Sequence, residues 1–334
     1  MPDAQYFQID ALPLQCGLTL PRARLAYQTY GELNAARDNV ILMPTFFGSQ
    51  TADAEAAISA WPALDPAKYF IVVPNLFGNG LSSSPSNTPA PFDGPLFPNV
   101  TIYDNVVAQH RLLTEHLGVR RIRLVVGFSM GAQQAYQWAA SYPDIVDAIA
   151  PICGSARTSP HNHLFLEGIK AALTADGAFA EGWYQTPPVK GLRAFSRVYM
   201  GWAFSQDFFR EQAWRHMGLA SQEDSIRFLE GYFRQRDAND LLTLVSTWQN
   251  ADISANERYR RDFASALQAI RARALVMPSQ TDLYFRVRDS ELEVEQIPNA
   301  KLHPIPSIWG HVAGLAVNPQ DNAFINQALS ELLA

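Results

Sequence analysis

Residues Leu124–Ala140 read LVVGFSMGAQQAYQWAA, and this stretch decides the fold. Leu124–Val126 is a short apolar strand, Ala132–Ala140 is a helix, and Gly127-Phe128-Ser129-Met130-Gly131 between them fits G-x-S-x-G. In that setting the serine sits on a strained strand-to-helix turn that presents its hydroxyl. Small neighbours are needed because side chains would clash in so tight a turn. The helix N-terminus adds positive potential where an oxyanion would develop. A Gly/Ser turn with no chemistry is the plain alternative. Strand and helix on the correct sides of Ser129 favour a nucleophile.

Val40–Met43, Tyr69–Val73 and Ile122–Val126 are continuous runs rich in Val, Ile and Leu. Such runs suit strands buried on both faces of a parallel sheet. Helical patterns cover Tyr103–Leu117 and Gly131–Ser141, giving the β-α-β rhythm of an α/β fold. After Cys153 the chain changes character. Residues 155–264 are rich in Trp, Phe, Tyr and Arg at helical spacing, with Trp202, Phe204, Phe208, Phe209 and Trp214 close together. Strand-like runs return at Ala274–Met277 and Lys301–Ile305, and an amphipathic helix runs over Gln320–Leu333. The expected architecture is a mostly parallel central sheet flanked by helices, formed by 1–154 and 265–334. A helical lid, 155–264, is inserted into it. Ser82–Pro98 is rich in Pro and Ser and reads as irregular. No repeat at solenoid periods is present.

A serine nucleophile needs a base, and the base needs an orienting acid. With a G-x-S-x-G serine the order along the chain is Ser, then Asp or Glu, then His. Asp282 follows the strand Ala274–Met277 in a strand-end loop, where the functional groups of parallel sheets collect. His311 follows the last strand and precedes the last helix. Asp289 and Glu291 compete as acids but lie further from the strand end. His303 falls within the last strand pattern, His161 and His163 open the insertion, and His110 and His116 precede the nucleophile strand. The expected triad is therefore Ser129, Asp282 and His311. Its oxyanion hole takes one N–H from Met130 and another from the loop Pro44–Gly48, with Phe46 the first choice and Phe47 the second. The cycle is acyl transfer through an acyl-enzyme; water as acceptor gives hydrolysis, a bound alcohol gives transfer. A non-catalytic binding protein on the same scaffold would have no need of all three groups.

The 334 residues are 48% hydrophobic and 17% charged, with net charge −6, an ordinary globular balance. No Lys/Arg run marks a nucleic-acid or anionic-membrane surface. No window approaches the ~18 apolar residues of a membrane helix. Met1–Ala11 carries Asp3 and Asp10 and does not read as a signal peptide. Cys16 and Cys153 are too few for a disulfide framework or a metal cluster, and are expected as reduced, mostly buried thiols. No metal or nucleotide motif is present. These features suit a soluble cytoplasmic protein that needs no cofactor.

Over nearly its whole length the sequence resembles the homoserine O-acetyltransferase family, a branch of the α/β-hydrolases. Pro98–Asp104 (PNVTIYD) looks like that family's FP-x-VTI-x-D segment, and Ser129-Met130-Gly131 with Gln134 and Ala135 like its SMG…QA context. Arg236-Asp237-Ala238-Asn239 resembles its FDANSYL run, and Ala251-Asp252-Ile253 its HD-[IV] segment. The resemblance implies the α/β-hydrolase fold, a lid that mediates a homodimer, and acetyl-CoA or another acyl-CoA as co-substrate if the chain is a transferase. It also implies a lid arginine for the acceptor carboxylate, to which Arg197 is the nearest match. The departures fall at the substrate. HALTG in the family is PTFFG here (Pro44–Gly48), GGSMGG is GFSMGA, and the aspartate of GHDAFL, which serves the amino group of homoserine, is Val312. Val312 cannot pair with an ammonium. Phe46, Phe47, Phe128 and Val312 suggest a more apolar pocket. A small or apolar carboxylic ester is the expected substrate, with acyl-CoA-dependent transfer to a different alcohol as the alternative.

Overall fold

The computed structural model describes residues 4–334, the side chain of Ala52 excepted. Part of the N-terminal stretch read for a signal peptide, Met1–Asp3, lies outside them. The chain begins with a long antiparallel pair, β1 (Gln5–Pro13) and β2 (Thr19–Tyr30). Then come β3 (Val40–Leu42), α1 (Thr51–Ala60), β4 (Phe70–Pro74), α2 (Ile102–Arg111), β5 (Ile122–Phe128), α3 (Met130–Ser141) and β6 (Ala148–Ile152).

The next segment is helical: α4 (Pro160–Thr174), α5 (Val189–Ala203), α6 (Gln206–Arg210), α7 (Gln222–Phe233) and α8 (Ala238–Gln249). A small hairpin, β7 (Phe179–Ala180) and β8 (Trp183–Tyr184), interrupts it. Helix α9 (Phe263–Gln268), which straddles the expected limit at 264, leads back to β9 (Arg273–Val276), α10 (Val287–Val294), β10 (Ala300–Leu302) and α11 (Pro319–Leu333).

Among the described residues one eight-stranded sheet has the order β1-β2-β4-β3-β5-β6-β9-β10. From β4 to β10 all pairings are parallel; β2 joins β4 antiparallel. Strands β3, β4 and β6 are wholly buried, as expected of strands covered on both faces. Helix α3 packs on β5 and β6, and α2 packs on α3. The reading of one helix over Tyr103–Leu117 differs in detail: α2 widens into a π-helical turn at Leu112–His116. Ser82–Pro98 is irregular apart from a short 3₁₀ turn at Gly94–Leu96. Among the described residues no helix is long and apolar enough to cross a membrane.

One expectation is corrected. Cys153 is buried, but Cys16 is exposed, because it lies in the tight turn between β1 and β2.

Candidate active site

Ser129 stands between β5 and α3 with φ 57° and ψ −122°, a left-handed backbone rare for a residue with a side chain. Its N–H donates to the Ile152 carbonyl at 3.0 Å, which ties the turn to β6. The two glycines are demanded by space. A Cβ on Gly127 would sit 2.2 Å from the Gly131 carbonyl carbon, and one on Gly131 would sit 2.7 Å from the Pro44 carbonyl oxygen.

His311 lies in a 3₁₀ turn, Gly310–Gly314, after β10; Asp282 lies in the loop after β9. His311 Nε2 is 3.0 Å from Ser129 Oγ, and its Nδ1 is 2.8 Å from Asp282 Oδ2. An ionised carboxylate only accepts. Nδ1 therefore carries the hydrogen, and Nε2 is free to accept the serine proton. The other carboxylate oxygen accepts from the N–H groups of Tyr284 at 2.7 Å and Phe285 at 3.1 Å. Thr281 Oγ1 donates to the Ser307 carbonyl (2.8 Å) and accepts from Gly310 N–H (3.0 Å), lashing the acid loop to the histidine loop. Ser129, Asp282 and His311 are all buried.

Aromatic rings surround the imidazole. Phe128 lies 4.6 Å from it, Tyr284 4.7 Å and Phe285 5.5 Å, between ring centres. Phe128 in turn meets Phe46 edge-on at 5.0 Å. Phe47 packs into the aromatic cluster of Phe195, Tyr199, Phe233 and Trp248. Val312 is buried directly after the histidine.

Met130 opens α3, and its N–H has no acceptor among the described residues. The Phe46 N–H is engaged: it donates to Ser49 Oγ at 2.7 Å. An oxyanion would compete there with a hydroxyl, whereas the Phe47 N–H has no partner among the described residues. The loop is also held from below by a buried chain of amides. Trp138 Nε1 donates to Gln109, Gln109 donates to Gln134, and Gln134 donates to the Thr45 carbonyl, at 2.8, 2.6 and 2.8 Å. This gives Gln134, noted in the sequence only as part of a motif, a positional role.

Arg197, matched to a lid arginine in the sequence, has a partner within the chain. Its guanidinium is ion-paired with Glu230, which Arg193 also approaches at 3.4 Å. The cause is helical spacing: residues 193 and 197 lie one turn apart on the face of α5 that packs on α7, where Glu230 is buried. In this structure the Arg197 guanidinium is thus held by a carboxylate of the same segment.

Four of the other histidines have partners elsewhere. His110 stacks on Tyr142, His303 on Phe324, His161 lies near Trp202, and His116 Nε2 lies 3.1 Å from the Tyr27 hydroxyl. Among the competing acids, Glu291 pairs with Arg288 at 2.7 Å and Asp289 lies in the first turn of α10. Cys153 joins Asp282 and His311 in a close cluster. Burial, and then the charge of Asp282, pushes its thiol well up, so it is neither a thiolate nucleophile nor a ready ligand.

Residues 38–314 match the family described as the alpha/beta hydrolase fold. The chain belongs to this family. This alpha/beta hydrolase is 41% identical to the ethyl acetate hydrolase of Pseudomonas veronii, over 99% of the present chain and 95% of the relative. It superimposes with a TM-score of 0.95 on the crystal structure of an acetylester hydrolase from Corynebacterium glutamicum, at 37% identity, covering 99% of the hydrolase and 96% of that chain. The homoserine O-acetyltransferase of Trichormus variabilis is more distant: 32% identical, over 93% of this hydrolase and 89% of the transferase.

Proposed function

We propose that this enzyme hydrolyses carboxylic esters of a short acyl group, acetate foremost, through an acyl-enzyme on Ser129. The bonded chain Ser129–His311–Asp282 carries the reading. His311 Nε2 takes the Ser129 proton as Oγ attacks the ester carbonyl carbon. Charge gathers on the carbonyl oxygen, where the Met130 N–H and the loop N–H groups receive it. The intermediate collapses, and the alcohol leaves with the proton held by His311. A water then gives its proton to His311 and attacks the acyl carbon. The second collapse releases the carboxylic acid and returns the proton to Ser129.

Two features favour water over an amino-acid alcohol as acceptor. Val312 stands where the resembled transferases carry an acid, and Arg197 is bound to Glu230. The relatives more similar than the transferase are named for ester hydrolysis. Acyl-CoA is accordingly no co-substrate, and no cofactor is used.

The inserted helices form a lid over the triad. They leave Leu164 on α4 and Phe228 on α7 66% and 56% exposed, which supports a homodimer through this segment, to be checked by sedimentation. A cytoplasmic location fits two cysteines that are both free.

The test compares p-nitrophenol release from p-nitrophenyl acetate by the wild type and by Ser129→Ala, alongside CoA release from acetyl-CoA with and without L-homoserine. The expected result is ester turnover that depends on Ser129, with no homoserine-stimulated CoA release. Strong homoserine-dependent release of CoA would replace hydrolysis with transfer.

A further inference from the structure

The turn Phe46–Ser49 is one of the places where the inserted helices are bonded to the core. Its Gly48 carbonyl accepts two hydrogen bonds from the insertion: the Tyr232 hydroxyl of α7 at 2.9 Å, and Arg236 Nε, just before α8, at 2.8 Å. The N–H of the same peptide unit, Ser49 N, donates to the Phe46 carbonyl at 3.0 Å. The peptide between Gly48 and Ser49 is therefore held at both ends, by the insertion on one side and by the turn itself on the other. Gly48 has φ +69°, a conformation that leaves the turn few other ways to settle.

The Arg236 guanidinium lies over the Tyr232 ring, 5.0 Å from its centre. Both side chains are half-buried. A guanidinium that donates to a single backbone carbonyl makes a charge-assisted bond, stronger than a neutral one. Arginine also stands where the FDANSYL run of the resembled family begins with phenylalanine, so this contact is not part of that motif.

We infer that Arg236 and Tyr232 are positioning residues for the oxyanion hole. By holding the Gly48 carbonyl they fix the turn that carries the Phe46 and Phe47 N–H groups. Neither touches the reacting atoms; they act through the backbone. Seating of the insertion is thereby coupled to stabilisation of the tetrahedral intermediate. The inference rests on the ester-hydrolase reading above.

A residue that places oxyanion donors affects the transition state more than the bound ester. The experiment uses the full chain with p-nitrophenyl acetate as substrate. It also uses 1,1,1-trifluoroacetone, whose carbonyl carbon takes the serine oxygen to form a tetrahedral oxyanion adduct. Arg236→Gln is expected to lower kcat about tenfold while KM stays within about twofold, and to raise the inhibition constant of trifluoroacetone in the same proportion. Arg236→Lys, which keeps a cationic donor, recovers part of the loss, and Tyr232→Phe shows a smaller loss of the same kind.

Wild-type kcat and inhibition constant in Arg236→Gln would overturn the inference. So would a rise in KM alone, or a fall in kcat that tracks lost thermal stability while trifluoroacetone binds as before. Should Arg236→Gln fail to fold, Tyr232→Phe, which removes one oxygen, decides by the same two readouts. Wild-type turnover that does not depend on Ser129 would overturn the functional reading itself. Normal wild-type turnover with unchanged variants would overturn only this inference.

Discussion

At the scale of single residues, His311 has a carboxylate behind it and a hydroxyl ahead, at 2.8 and 3.0 Å. Ser129→Ala removes the nucleophile and is expected to lower kcat/KM with p-nitrophenyl acetate by roughly 10⁴-fold or more, measured as p-nitrophenol release. Asp282→Asn keeps the shape but presents an amide where Nδ1–H needs an acceptor. A loss on the order of 10⁴ in kcat, with KM little changed, is expected from the same assay. Gly131→Ala places a Cβ 2.7 Å from the Pro44 carbonyl oxygen and pushes the oxyanion loop away from the nucleophile turn. It is expected to cost about 1–3 kcal/mol in urea unfolding and to lower kcat. That Ser129, Asp282 and His311 meet was legible in the sequence, because motif and chain order constrain them. The pairing of Arg197 with Glu230 was not, because a sequence shows an arginine without the carboxylate that packs beside it.

At the scale of elements, α10 carries a buried acid. Glu293 accepts from the Ala156 N–H at 2.9 Å, and burial pushes its carboxyl up to about 8 from an ordinary 4.5. Between those two values the folded chain holds a proton that the unfolded chain has released. The contribution of Glu293 to stability therefore falls as pH rises through that window, and is level above it. Glu293→Gln keeps an oxygen for Ala156 and removes the titration. Its melting temperature is expected to fall by several degrees less than that of the wild type between pH 5 and pH 9 in a calorimetric scan.

The strands of the sheet were legible in unequal measure. Val40–Leu42, Phe70–Val73 and Ile122–Val126 announce themselves as continuous apolar runs. Strand β6 does not, because Pro151 sits inside it and proline in a run argues against a central strand. The sheet accommodates it opposite Gly127, and its carbonyl still accepts from Met277 N–H at 2.9 Å. The β1–β2 pair was hidden for a different reason. At the sheet edge it is half in solvent, so charged residues such as Arg22 and Arg24 interrupt its apolar pattern.

At the scale of the whole molecule, one sheet brings together groups that are remote along the chain. Ser129 comes from the turn after β5, Asp282 from the loop after β9, and His311 from beyond β10. The helices between β6 and β9 reach back to the loop after β3 through Tyr232 and Arg236. Contacts of that kind have no local signature, since the partner is a backbone carbonyl nearly two hundred residues away. The proposed mechanism requires a covalent acyl group on Ser129. It is tested most directly by mixing the enzyme with p-nitrophenyl acetate, quenching in acid within milliseconds, and mapping the digested protein by mass. One acetyl group is expected on the peptide that carries Ser129, appearing with a burst of p-nitrophenol and decaying at the steady-state rate. Turnover with the acetyl group on another residue, or with no acetylated enzyme while p-nitrophenol is released in a burst, would contradict it.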